Sequence, residues 1–327
     1  MINISKNEKK IPCPLCENDR LQTVSKFDRK GKELKTDICL LCGHVFSNPQ
    51  PTQSELDLFY SKNYRNNYKG VLSPKKKHIL RSGIRAIERY KILKEFLSDQ
   101  KKILDIGSGS GEFLFLLKGK GHQVEGIEPN HGYAEFSKKE YDLNISIEKI
   151  ENNISINKTW DIICLHHVLE HLSNPIQSLR IISKLLSSEG VLNLEVPNIE
   201  SRYHSPIRLF HFAHLHNFSK EGLVFALQKA NFVIIKIQIM PQTGHINILC
   251  RQGYREQTLP NIEIANRIIK HLSYYNYKRD IISSRPYMRL IANIKRPIKE
   301  YLKILLLGNP TKSSELLKAL FKKSSTL

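Results

Sequence analysis

Two Cys-x-x-Cys pairs, Cys13-Pro14-Leu15-Cys16 and Cys39-Leu40-Leu41-Cys42, stand 22 residues apart near the start of the chain. Four thiolates at this spacing suit one tetrahedral ion, and the pattern is that of a structural Zn2+ site. Four protein ligands close the coordination sphere, so the ion would brace the fold and leave no position for catalysis. His44 adjoins the last cysteine and is not needed as a ligand. Cys164 and Cys250 fall in apolar runs that read as buried strands, so the six cysteines form no disulfide framework and suit a reducing cytosol.

A second group of residues is suited to holding a nucleotide-like ligand. In Ile103-Leu104-Asp105-Ile106-Gly107-Ser108-Gly109-Ser110-Gly111, three glycines follow a short apolar run and Glu112 opens a helix. Glycines at a strand-to-helix turn let the backbone approach a ligand closely, and the helix N-terminus offers N–H groups to it. Glu128 ends the next strand, 17 residues after Gly111, where a carboxylate can accept from both hydroxyls of a ribose.

Proton-transfer chemistry points to histidine, the side chain that titrates nearest neutrality. Two clusters stand beyond the ends of later strands: His166, His167 and His171, then His204, His211, His214 and His216. His167, His171 and His214 are the candidate bases, and His166 is grouped with the ligand-holding residues.

These residues need a scaffold, and the hydrophobic pattern supplies one. From Lys101 to Gln252, short apolar runs alternate with helical patterns, which predicts a doubly wound, mostly parallel sheet covered on both faces. Strands are expected at KKILDIG, HQVEGIEP, WDIICLHH and GVLNLEVP, with helices at GEFLFLLKGKG, HGYAEFSKKEY and NPIQSLRIISKLLSSEG. The runs FVIIKIQIM and HINILCRQ are separated only by PQTG, so they should pair as an antiparallel hairpin. Composition divides the chain into a cysteine module at 1–52, a Tyr-rich linker and helical lead-in at 53–100, a core at 101–252 and a basic tail at 253–327.

The leading Asp105, the glycine spacing, Ile127-Glu128-Pro129-Asn130 and the stretch from Asp161 to His171 together resemble class I S-adenosylmethionine-dependent methyltransferases. The resemblance spans roughly residues 80 to 252 and implies a seven-stranded Rossmann-like sheet with S-adenosylmethionine as cofactor. It places Gly107, Gly109 and Gly111 along the methionine part, Asp105 at the turn and Glu128 on the ribose, and leaves the adenine contact open between Glu148 and Glu151. The four-cysteine module and the segment HLHNFSKEGL further resemble bacterial sugar C-methyltransferases of deoxysugar and polysaccharide pathways. That family's Tyr-His-Glu-His is here His211-Phe212-Ala213-His214, which keeps the final histidine and lacks the tyrosine and glutamate. O- or N-methylation of a nucleotide-linked or lipid-linked sugar therefore stands level with carbon methylation.

The 327 residues carry a net charge of +20, which invites a polyanionic partner or reflects a Lys- and Ile-rich composition. Residues 255–327 hold 15 Lys or Arg against 5 Asp or Glu, with tyrosines interleaved. Segments such as YMRLIANIKRPIKEYLKILLLG mix Leu and Ile with Lys and Arg as interfacial helices do, although Pro297 interrupts the run. The residues at 1–14 contain no apolar core of a secretion signal, and no run of about 18 apolar residues occurs, so a cytoplasmic protein is expected, with peripheral contact at the inner membrane face one reading of the tail. Two further readings stay open: a zinc-bearing RNA methyltransferase, weakened by the lack of an Asn-Pro-Pro-Tyr motif, and a non-catalytic scaffold, against which the glycine turn and Glu128 speak.

Overall fold

The computed structural model describes residues 10–52, 54–56, 74–150, 158–203, 205–256, 261–275 and 277–324. The Tyr-rich stretch at 59–70, Glu151 and His204 lie outside the described residues. The strands are β1 (Leu21–Phe27), β2 (Glu33–Cys39), β3 (Val45–Ser47), β4 (Lys102–Ile106), β5 (Gln123–Ile127), β6 (Asn144–Ser146), β7 (Trp160–His166), β8 (Leu186–Val196), β9 (His216–Asn217), β10 (Phe232–Ile239) and β11 (Ile246–Gln252). The helices are α1 (Lys76–Leu93), α2 (Glu112–Gly119), α3 (His131–Tyr141), α4 (Pro175–Leu185), α5 (Lys220–Lys229), α6 (Ile262–Tyr274), α7 (Tyr277–Ile281), α8 (Arg285–Leu306) and α9 (Ser313–Lys323).

The expected Rossmann-like sheet is present, seven strands in the order β10-β11-β8-β7-β4-β5-β6, beside a four-stranded sheet in the order β1-β2-β3-β9. The chain divides into two compact units that are not contiguous in sequence: residues 70–165 with 287–327, and residues 1–69 with 166–286.

In the first of these, β4 pairs in parallel with β5 and β7, and β5 with β6. Ile103, Leu104 and Ile106 of β4 and Ile162 to Leu165 of β7 are all buried, as a strand covered on both faces demands. The strand β6 has three residues, too few to show a period-two pattern, and it completes the parallel set. α3 begins where Asn130 accepts from the Tyr133 N–H at 2.9 Å, one of the donors a helix start leaves bare. α1 lies against α9 so closely that a Cβ on Gly83 would sit 2.6 Å from Leu317 Cδ2.

In the second unit, β10 and β11 form the expected antiparallel hairpin, and β11 pairs antiparallel with β8. Asn174 accepts from the Gln177 N–H at 3.0 Å and Pro175 occupies the first turn of α4. The helix expected to reach Gly190 ends at Leu185, and β8 already begins at Leu186. Leu185 and Leu186 are both buried, and the half-buried Ser187 and exposed Ser188 and Glu189 offer no apolar residue to continue a helical stripe. The four-stranded sheet here is closed by a remote piece of chain: β3 pairs with β9, Phe46 opposite His216. The cysteine pairs thus sit in a sheet that residues 1–52 do not complete by themselves.

Candidate active site

The glycine turn belongs to the unit built on β4. Beyond Ile106, the N–H groups of Gly107 and Ser108 both donate to the Ile127 carbonyl, at 2.7 and 3.1 Å, which pins the turn to the end of β5. Glu128 then holds it from the side. Its Oε2 accepts from the Gly109 N–H and its Oε1 from the Asn130 N–H, both at 2.8 Å. One buried carboxylate therefore joins the loop before α2 to the start of α3. Burial pushes the Glu128 carboxyl upward in pKa and the two N–H groups pull against it.

The glycines have different reasons. Gly109 has φ +57°, and no atom lies within 4 Å of the place a Cβ would take, so the space over it is open to a ligand. Gly111 has φ +85°, and a Cβ there would meet Leu143 at 2.8 Å and Ser137 Oγ at 2.9 Å, so its bareness serves packing. Asp105 is buried near the end of β4. Glu112, buried at the first position of α2, accepts from Ser110 Oγ at 2.6 Å, and burial pushes it up to about 7. A loop pinned at both ends, open over Gly109 and rimmed by Glu128, fits the ribose and amino-acid portion of S-adenosylmethionine.

The histidines gather in the other unit, where the chain leaves β7. His166 is buried. His167 has φ +59°, a left-handed conformation uncommon for a side chain with a Cβ, and its N–H donates to the Glu195 carbonyl at 2.8 Å. Its ring lies between two carboxylates, Nε2 at 2.9 Å from Glu195 Oε1 and Nδ1 at 3.5 Å from Glu170 Oε1. His245 Nδ1 reaches the same Glu195 oxygen at 3.2 Å. Burial disfavours the charged ring, yet the Glu170 and Glu195 carboxylates outweigh it and push His167 up to about 9. Glu170 shows the converse: burial raises it, and the His167 cation 3.5 Å away holds it down to about 2. This pair is ionised at neutral pH.

His171 stands on the far side of Glu170, its Nε2 at 3.9 Å from Oε1. Its Nδ1 lies 2.7 Å from the Ala213 carbonyl, which can only accept, so Nδ1 carries the proton and Nε2 bears the lone pair of the neutral ring. The His171 and His214 rings meet edge to face at 4.8 Å, and His211 meets His214 at 4.9 Å. Burial pushes His214 down to about 3 and His211 to about 4, so both are neutral at pH 7.

All three candidate bases thus come together, and His216 does not join them. It is buried in the four-stranded sheet with its Nδ1 at 3.0 Å from His44 Nε2, a pair that burial keeps uncharged. Three members of the cluster were not singled out from sequence: Glu170, Glu195 and His245. Glu195 was the most legible of them, a lone acid in the apolar strand VLNLEVP.

The four cysteines converge as their spacing predicts. Their sulfurs all lie within 4.8 Å of one another, with Cys13 to Cys42 and Cys16 to Cys39 each at 3.5 Å. A tetrahedral ion with bonds of about 2.3 Å sets its sulfurs about 3.8 Å apart, so the donor set fits zinc.

Residues 79–237 match the family model described as a methyltransferase domain. No curated protein matches the sequence. Solved structures similar to the chain include the 1,6-didemethyltoxoflavin-N1-methyltransferase of Burkholderia thailandensis, with bound 1,6-didemethyltoxoflavin and S-adenosylhomocysteine: 15% identity, 64% of this chain and 96% of that one, TM-score 0.49. Others are S-adenosylmethionine-dependent methyltransferases from Methanosarcina mazei, at 18% identity over 51% and 99% with TM-score 0.44, and from Mesorhizobium loti, at 13% over 50% and 97% with TM-score 0.44.

The His167 pair makes stability depend on pH with a defined sign. A histidine raised from 6.5 to about 9 stabilises fully below pH 6.5, and the contribution fades as pH climbs through 9. His167→Gln is expected to cost about 3 kcal/mol in denaturant unfolding near pH 6, with the gap to the native protein narrowing steadily up to pH 10. A gap that stays constant across that range would show that His167 is not held as a cation.

Proposed function

We propose that the chain transfers the methyl group of S-adenosylmethionine to a hydroxyl or amino group of a sugar or related small metabolite, with His171 accepting the proton. That it is a class I methyltransferase rests on the methyltransferase-domain match and the seven-stranded sheet. The observation carrying the rest is the cluster around Glu170. The histidine segment follows directly on β7, and ligands of such sheets bind beyond the ends of the strands.

Asp105, Gly107, Gly109, Gly111, Glu128 and His166 would hold the cofactor, Glu128 using the lone pairs its two backbone donors leave vacant. Bound S-adenosylmethionine supplies a methyl group on a cationic sulfur, open to in-line displacement without a metal. The protein's remaining work is to orient the acceptor and take its proton. His171 is the group best placed, because the Ala213 carbonyl fixes its tautomer with Nε2 as acceptor, and Nε2 lies 3.9 Å from the buried Glu170 carboxylate. His167, already protonated between Glu170 and Glu195, serves as a fixed charge that holds Glu170 ionised. His214, kept neutral by burial, packs the His171 ring in place. The acceptor class is supported by the HLHNFSKEGL segment and by the polar character of the cluster. Cys13, Cys16, Cys39 and Cys42 would hold a structural Zn2+ in a cytoplasmic protein.

Titration calorimetry tests the cofactor reading. S-adenosylmethionine is expected to bind the native protein and to be lost in Gly109→Arg, whose side chain would fill the open space over the turn; equal binding by both would overturn it. With sugar nucleotides and lipid-linked sugars as acceptors, His171→Gln is expected to lower turnover roughly 10²- to 10⁴-fold while cofactor affinity holds, and an undiminished rate would remove His171 as base. Elemental analysis is expected to find one zinc per chain in the native protein and none in Cys39→Ser, with loss of the four-stranded sheet on chelation; a protein that is metal-free and fully folded would dismiss the zinc site.

A further inference from the structure

The proposed chemistry leaves α8 unused, and α8 has the most unusual surface of the molecule. It runs unbroken for 22 residues from Arg285 to Leu306, passing through Pro297, which the sequence pattern had taken as an interruption. Proline removes one helix hydrogen bond, but an exposed helix can satisfy the freed carbonyl with solvent. Its orientation is set on one edge. Glu300 and Ile304 are buried against the rest of the unit, and Glu300 accepts from Arg81 Nη2 at 2.8 Å.

The opposite outcome holds on another face. Tyr287, Ile291, Ile294, Ile298, Tyr301 and Leu305 follow one another at spacings of four and three, which places them in one stripe, and each is 43–64% exposed. The stripe is about 27 Å long at 1.5 Å per residue. Soluble surfaces rarely carry a continuous apolar patch of this length without an occupant. Lys295 and Lys299 flank it, Arg296 and Lys303 lie on the helix face away from it, and all four are exposed. The helix holds six basic residues and one acid, Glu300, which Arg81 already engages. Between α1 and α8 lies a groove of about 470 Å³ whose apolar lining includes Leu80, Ile84 and Met288, with Lys295 and Lys299 also contributing.

Charge decides between occupants. A second copy of α8 would fit the spacing of the stripe but would bring a helix of the same excess of positive charge, whereas an anionic lipid surface answers both the stripe and a polar face rich in Lys and Arg. No helix among the described residues is long and apolar enough to cross a membrane, so α8 would lie on the surface. We infer that α8 is an interfacial helix that seats the protein on an anionic bilayer, its stripe at the headgroup–acyl boundary and the flanking Lys295 and Lys299 reaching lipid phosphates. An acceptor carried on a lipid would then be presented where the enzyme resides.

Co-sedimentation of the full chain with vesicles tests this. Binding is expected to vesicles of phosphatidylcholine with one-third phosphatidylglycerol, to weaken at high salt, and to be absent with phosphatidylcholine alone. Ile294→Asp with Ile298→Asp should abolish it, and Lys295→Glu with Lys299→Glu should weaken it roughly tenfold or more. Both double variants alter exposed side chains and are expected to bind S-adenosylmethionine as the native protein does, which separates failure here from failure of the catalytic reading. Equal binding to neutral vesicles, no binding to either, or a dimer by light scattering that Ile294→Asp with Ile298→Asp dissolves would each overturn the proposal.

Discussion

A carboxylate removed from water is costly unless donors or cations meet it, and each of the two units has a cluster organised around one such group. Glu128 is buried because two backbone N–H groups compensate it, and those donors belong to the loop before α2 and the start of α3. The glycine turn is therefore held in its open shape by one buried carboxylate. Glu170 is buried because His167 is held as a cation beside it, and His167 is in turn held by Glu195. Removing either carboxylate would leave its partners without a reason for their geometry.

This dependence explains why some of the site was legible in the sequence and some was not. A turn is local: Asp105, the three glycines and Glu128 lie within one strand–helix–strand unit, so spacing alone indicates their shape. The cysteine pairs are legible for the same reason, because two residues between thiolates is a geometric statement. Glu195 reaches His167 because β8 lies next to β7, and His245 reaches Glu195 through the pairing of β11 with β8, neighbours far apart in the sequence. The closure of the four-stranded sheet by β9 was equally invisible, since a two-residue strand has no pattern of its own. Misplaced boundaries had local causes. The polar Ser187-Ser188-Glu189 looked like the end of a helix and proved to be the start of a strand, and a proline that can break a helix was carried within one.

The histidines show that residue type names a chemistry and environment assigns the role. His216 and His44 are the same residue type as His171, yet both are sealed in a sheet among Phe46 and Phe218, where a charge would be prohibitive, and they serve as a neutral packed pair. His214 is neutral for the same reason and stacks edge-on against His171. His167 alone lies between two carboxylates, and that geometry commits it to the cation.

The consequence for catalysis follows from the proton inventory of this cluster. A general base must be deprotonated before the reaction and have a lone pair directed at the acceptor. His167 fails the first condition, because both ring nitrogens face carboxylates and the ring is charged. His214 meets the first condition, but burial penalises the imidazolium it would become. His171 places Nδ1 on the Ala213 carbonyl and Nε2 at 3.9 Å from Glu170 Oε1, and the proposed role as base rests on that geometry. The proposed selection therefore rests on ring contacts: of the three candidates, His171 is the one whose Nδ1 is held by a backbone carbonyl while Glu170 engages His167 as its cation.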